Sequence, residues 1–170
     1  MSEFFIHLFE SINPHLAIFT MSTLPIIELR GSIPVGILGY DLPIIEVVAL
    51  AIVGNMFPNF FILKFLEPLK NFFTAHSKII ERIYNHIVEK TQSKHSEKFL
   101  AVGAIFLVSF VAIPLPGSGS WTGCLIAYLF KVPYWKALGL IFLGILGGTA
   151  VVTTLSVGTD AIFGAIVNLF

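Results

Sequence analysis

The sequence predicts an all-α polytopic membrane protein built as an inverted repeat, each half a re-entrant helical hairpin followed by a transmembrane helix. Three observations carry that expectation. The 170-residue chain is 56% hydrophobic and only 12% charged, whereas about a quarter of the residues of a soluble domain are charged. Long runs without Asp, Glu, Lys or Arg recur along it, and clusters of proline and glycine interrupt them. The two clusters read alike, "LRGSIPVG" at 29–36 and "LPGSGSWTG" at 115–123, and each is followed by a short apolar piece and then a long apolar helix.

Composition also excludes classes of function. A mean hydropathy of +0.90 and 17 phenylalanines fit contact with lipid. Net charge is zero and no basic stripe with interleaved aromatics occurs, so nucleic-acid binding is not expected. The single cysteine, Cys124, has no intrachain disulfide partner and reads as a small buried apolar side chain. His76, His86 and His95 lack metal-ligand spacing. Neither metal nor cofactor is expected.

Residues 1–66 form the first unit. Its start, "MSEFFIHLFESINP", lacks the basic opening and small-residue cleavage site of a signal peptide and reads as a short amphipathic helix at the interface. An apolar piece from His15 to Leu24, a broken centre "PIIELRGSIP" and a short piece to Tyr40 make the first hairpin. A long helix is expected from about Pro43 to Leu66, with Asn55 and Asn59 beside Pro58 read as packing hydrogen bonds or as cavity lining.

Residues 67–98 are the most polar stretch. Phe72, Ala75, Ile79, Ile80, Ile83 and Ile87 recur at helical spacing, predicting an amphipathic connector on the bilayer surface, with a regulatory or partner-binding helix as the other reading.

Residues 99–170 form the last unit. The uncharged run Phe99–Phe130 has 32 residues, and as one helix it is roughly 48 Å long against a hydrocarbon core of roughly 30 Å. It must break, and "AIPLPGSGSWTG" supplies the break. The pieces Phe99–Ile113 and Ser120–Phe130 are each too short to cross, giving a second hairpin; non-helical backbone at that depth has to line a cavity or be buried in protein. Lys131 to Pro133 then lead into the last long helix, where Gly139, Gly144 and Gly148 fit close helix contact within the chain or in a homodimer.

If each hairpin returns to its own side and each long helix crosses once, the second half is inverted relative to the first. Charge agrees. Lys64, Lys70, Lys78, Arg82, Lys90, Lys94, Lys98, Lys131 and Lys136 fall on the face carrying the connector, while Glu3, Glu10, Asp41, Glu46 and Asp160 fall on the other. The positive-inside rule makes residues 67–98 cytoplasmic.

The chemistry concentrates at the two broken centres. Glu28 and Arg30 lie within the membrane-embedded part, where an isolated charge costs roughly 2.5–3.5 kcal/mol. In an extended segment they share a face and can pair. One reading is structural, a mutually neutralised pair holding the hairpin; the other is a binding site. Short helices are expected to start near Ser32 and near Ser120, and their N-termini would converge beside Arg30 on one anion. Gly31, Gly117 and Gly119 allow close backbone approach, Ser32, Ser118, Ser120 and Thr122 supply hydroxyls, and Pro34 and Pro116 shape the turns. Ionised, Glu28 balances Arg30; protonated, it couples transport to a proton. Both roles stay open.

"ELRGSIP" and "PLPGSGSWTG" together resemble the paired signature of the small multidrug export protein family and, beyond it, DedA-like membrane proteins with two re-entrant hairpins. The resemblance spans about Pro14 to Val152 and rests on Glu28, Arg30, Gly31 and Pro34 in the first motif and Pro114, Pro116, Gly117, Gly119, Trp121 and Gly123 in the second. It implies a multi-pass protein of the cytoplasmic membrane. DedA-like relatives are associated with flipping phosphate-bearing lipid carriers and with proton-motive force, although this chain has no arginine in its second hairpin.

Three function classes follow. A transporter or flippase for an anionic substrate, a phosphate-bearing lipid or a small anion, is the leading expectation. An exporter of organic cations would call for an acidic residue free of a cationic partner. A membrane-organising protein without transport would tolerate apolar replacements at Glu28 and Arg30 together. Enzymatic activity is not expected, because the tips offer serines and a threonine without a histidine or second carboxylate.

Overall fold

A computed structural model describes residues 13–76, 97–115 and 117–167. Six α-helices, one π-helical turn and no strand occur among the described residues. The expected N-terminal amphipathic helix, the connector beyond His76 and Pro116 lie outside them.

Helix α1 (Pro14–Thr23) begins where the Asn13 side chain accepts a hydrogen bond from the His15 N–H at 2.9 Å, with Pro14 in the first turn. It ends as Leu24 turns extended ahead of Pro25. A turn follows, closed by Glu28 N donating to the Leu24 carbonyl at 2.9 Å.

Helix α2 (Glu28–Pro34) therefore starts four residues before the expected start near Ser32, and Gly31 and Ser32 sit inside it. Pro34 comes at its end, where the missing N–H is absorbed by a π-helical turn, Val35–Gly39, instead of breaking the chain.

Helix α3 (Ile44–His76) runs through Pro58 and Pro68, ten residues past the expected end at Leu66. The second half repeats the order of lengths with α4 (Glu97–Ala112), α5 (Ser120–Leu129) and α6 (Tyr134–Val167). The uncharged run breaks as expected, with residues 113–115 and 117–119 outside any helix. Two segments, Ile44–Leu69 of α3 and Tyr134–Gly158 of α6, are long and apolar enough to cross a membrane. At 10 residues each, α1 and α5 extend only about 15 Å, half the hydrocarbon thickness.

Packing repeats as well. Helix α1 lies on α3, and α4 lies on α6. Both contacts need a missing side chain. A Cβ at Gly54 would come within 2.5 Å of the Phe19 carbonyl, and one at Gly144 within 2.6 Å of the Val111 Cβ. The short helices α2 and α5 lean across, each touching the long helix of the other half.

Ile18, Ile33, Val47, Leu107, Val111, Cys124, Ile141 and Ile145 meet in one buried cluster that joins the halves. Outside it, Phe61, Phe65, Phe106, Leu143 and Leu155 each expose half or more of their surface. An outward apolar surface of that kind suits lipid-facing helices.

Candidate functional site

The site forms where the two broken centres cross. Helix α5 has an uncapped start, because its N-cap residue is Gly119 and its first turn holds no acidic residue. Orphan N–H groups there require an acceptor. Glu28, 92 residues earlier in the chain, supplies it. Its carboxylate lies at that start, with Ser120 Oγ donating to Oε1 at 3.4 Å and the backbone N–H groups of Ser120 and Trp121 facing it. A carboxylate at a helix N-terminus is favoured both by the helix dipole and by charge-assisted hydrogen bonds.

Reaching that position has a local cost. Glu28 takes φ of +47°, a left-handed conformation that a non-glycine residue holds at an expense of order 1–3 kcal/mol. The side chain is buried.

Arg30 also crosses. Its Nη1 donates to the Leu115 carbonyl and its Nη2 to Ser118 Oγ at 3.2 Å. Ser118 in turn donates to the Ile113 carbonyl at 2.7 Å and accepts from Leu115 N at 3.2 Å, which folds the second knot on itself. Gly117, with φ of +83°, makes the reversal a side chain would strain.

These contacts correct the expected pairing. Glu28 and Arg30 form no salt bridge with each other among the described residues; each bonds to the second knot instead. The segment is helical and not extended, so positions two apart diverge. The expected meeting of helix starts at Ser32 and Ser120 is replaced by another arrangement: Ser32 lies inside α2, and at the start of α5 the Glu28 carboxylate fills the place expected for an external anion.

Between the knots lies a narrow, closed crevice with no room for a water molecule. Its lining comprises the polar residues Glu28, Arg30, Asn55 and Ser120 and the apolar Leu29, Val111, Ala112, Pro114, Ile145 and Gly148.

The other predicted site residues fall elsewhere. Ser32 is fully buried and accepts from Ser22 Oγ at 2.6 Å, tying α2 to α1. Gly31 faces Ile27, whose Cγ2 would lie 2.5 Å from an added Cβ. Pro34 and Thr122 are half-buried and outside the crevice lining. Gly119 abuts Glu28, and Ser118 holds the knot.

On α3 the two asparagines divide the roles foreseen for them. Asn59 packs, with Nδ2 donating to the Asn55 carbonyl at 2.9 Å and Oδ1 accepting from the Cys124 thiol at 3.3 Å. Asn55 lines the crevice, 1% exposed, and neither its Oδ1 nor its Nδ2 has a hydrogen-bond partner.

A model of the protein family described as "Putative small multi-drug export protein" matches residues 28–151, well over half the chain. The chain belongs to the small multidrug export protein family. The match opens on Glu28 and includes every crevice residue. No curated protein and no solved structure matches the chain.

Several functional positions were not legible in the sequence. The apolar walls Val111, Ala112 and Ile145 carry no chemical signal of their own. The lack of a side-chain cap at Gly119–Ser120 was a readable signal that an acceptor had to come from elsewhere.

Proposed function

We propose that the protein is a multi-pass transporter of the cytoplasmic membrane that moves an anion by alternating access, with the crossed Glu28 and Arg30 contacts as the gate between its halves. The observation that carries the reading is that both charged side chains of the first knot bond across to the second. Contacts of this kind hold one closed arrangement and must break for the halves to part.

In this reading α1–α2 and α4–α5 are re-entrant hairpins and the halves form an inverted repeat, with the connector cytoplasmic. Short paired helices, the matching order of lengths and the reciprocal packing of α2 and α5 support it. Arriving substrate takes the place of the Glu28 carboxylate at the Ser120 and Trp121 N–H groups, beside the Arg30 charge. Proton uptake by the displaced Glu28 then couples the anion to a proton. Transport fits better than catalysis, since the ionised groups are already spent on structural hydrogen bonds.

Anions are favoured because the slot already holds a carboxylate and no aromatic residue lines the crevice among the described residues. The substrate is a phosphate-bearing lipid or a small anion. Export of organic cations is the second reading. It draws on the family description and on the lack of a direct Glu28–Arg30 salt bridge, which leaves the carboxylate with the Arg30 charge near it but not in contact.

Reconstitution into proteoliposomes decides between them. The wild type should move phosphate, free or lipid-borne, and Arg30→Gln should slow it at least tenfold. Movement of an organic cation alone, or an anion rate untouched by Arg30→Gln, rejects the anion reading.

A further inference from the structure

We infer that Asn55 is a specificity residue of the crevice, selecting a protonated oxyanion, one that carries an O–H donor beside a charged acceptor. The inference rests on the anion-transport reading and names the chemistry of its ligand. Asn55 lies on α3, is 1% exposed, and lines the same crevice as Glu28, Arg30 and Ser120.

Buried amides are ordinarily satisfied, and leaving one unpaired is costly. Its neighbour Asn59 shows the ordinary arrangement, with both polar ends engaged. Asn55 offers a donor and an acceptor side by side with neither used, in the lining of a crevice that Arg30 and Ser120 at the start of α5 also line. A helix start and a guanidinium accept any anion. The carboxamide oxygen does not.

Against a fully ionised oxyanion or a halide, Oδ1 faces negative charge and stays unpaired. Against an oxyanion bearing one proton, Oδ1 accepts from the O–H while Nδ2 donates to a neighbouring oxygen, and both ends are satisfied at once. Sites built around such a donor–acceptor pair discriminate strongly against analogues that lack the matching group. The class comprises dihydrogen phosphate and phosphate monoesters carrying one proton. Sulfate and phosphodiesters fall outside it.

The test uses the full-length protein in proteoliposomes, with inorganic phosphate against sulfate as soluble probes. Phosphatidic acid against phosphatidylglycerol provides the lipid arm, a monoester against a diester. Wild type should prefer the protonated member of at least one pair, and the pair that responds identifies a free ion or a lipid headgroup as the source.

Asn55→Leu, close in shape, should reduce that preference roughly tenfold or more while the folded protein remains as heat-stable as wild type or more so. Asn55→Ser, which keeps one donor and acceptor, should retain part of the preference and serves if the leucine variant does not fold. If wild type moves phosphate and sulfate alike, or if Asn55→Leu keeps the wild-type preference, the inference fails while the anion reading stands. If wild type moves no anion, both fall.

Discussion

The missing side chain of Gly119 is what admits the carboxylate of Glu28: a Cβ at 119 would lie 2.6 Å from Glu28 Oε1. Two residues 91 positions apart thus fit as a contact pair, and the crossing of the knots depends on that fit. Gly119→Ala should displace the carboxylate from the Ser120 and Trp121 N–H groups. The expected cost is about 1–3 kcal/mol, as for overpacking a filled site. Thermal unfolding in detergent should show the loss, and it should shrink in a Glu28→Ala background, where nothing remains to collide with.

Ser32 offers a sharp contrast. The expectation of a substrate-binding hydroxyl arose from its place beside glycine and proline, yet it is joined to Ser22 inside the α1–α2 contact. Ser32→Ala should destabilise by about 1 kcal/mol. Adding Ser22→Ala should cost little more, because the Ser22–Ser32 bond is already lost and only the Ser22 bond to the Ile18 carbonyl within α1, 2.8 Å, remains to lose. Substrate affinity should not change; a tenfold weaker apparent affinity in Ser32→Ala would return the residue to the site.

The glycines of α6 should divide by position. Gly144 meets Val111 at 2.6 Å from an ideal Cβ, whereas Gly139 has no atom within 4 Å. Gly144→Ala should lower stability by about 1–3 kcal/mol. Gly139→Ala, in an open helix interior, should raise it by about 0.5–1 kcal/mol. A Gly139→Ala variant that instead loses a dimer on size-exclusion chromatography would place that surface between two chains.

These cases also show what the sequence makes visible. The break at 113–119 follows from length against bilayer thickness and from the prolines and glycines that cannot continue a helix. Its position holds to within a residue or two at α4 and α5. The start of α2 was misplaced because Gly31 and Pro34 read locally as breakers, while the helix tolerates both, the first by close packing on Ile27 and the second by a π-turn at its end. The Glu28–Arg30 pair was misjudged for the same reason, since an extended backbone was assumed where a helix forms. Asn55 and Asn59 share a type, a helix and a face one turn apart. Only the position of Cys124 opposite one of them distinguishes their roles, and that is a tertiary fact.

The Arg30 contacts predict a graded effect of charge and shape. Arg30→Lys keeps the charge but loses the fork that reaches both the Leu115 carbonyl and Ser118 Oγ. Transport of the anion should fall less in Arg30→Lys than in Arg30→Gln, and thermal stability should fall in both. Equal transport in all three proteins would reduce the guanidinium to a structural tie.

The most direct test of the gate is the accessibility of the crevice floor. Ser120 is 1% exposed beneath Glu28. A Ser120→Cys variant in a Cys124→Ala background can be probed with a membrane-permeant thiol reagent in proteoliposomes. If the crossed contacts close the gate, the thiol reacts slowly in the resting protein, and at least tenfold faster when phosphate is supplied as the inorganic ion or as phosphatidic acid, or when Glu28→Gln is added. A thiol that reacts at one rate under all these conditions would contradict the account.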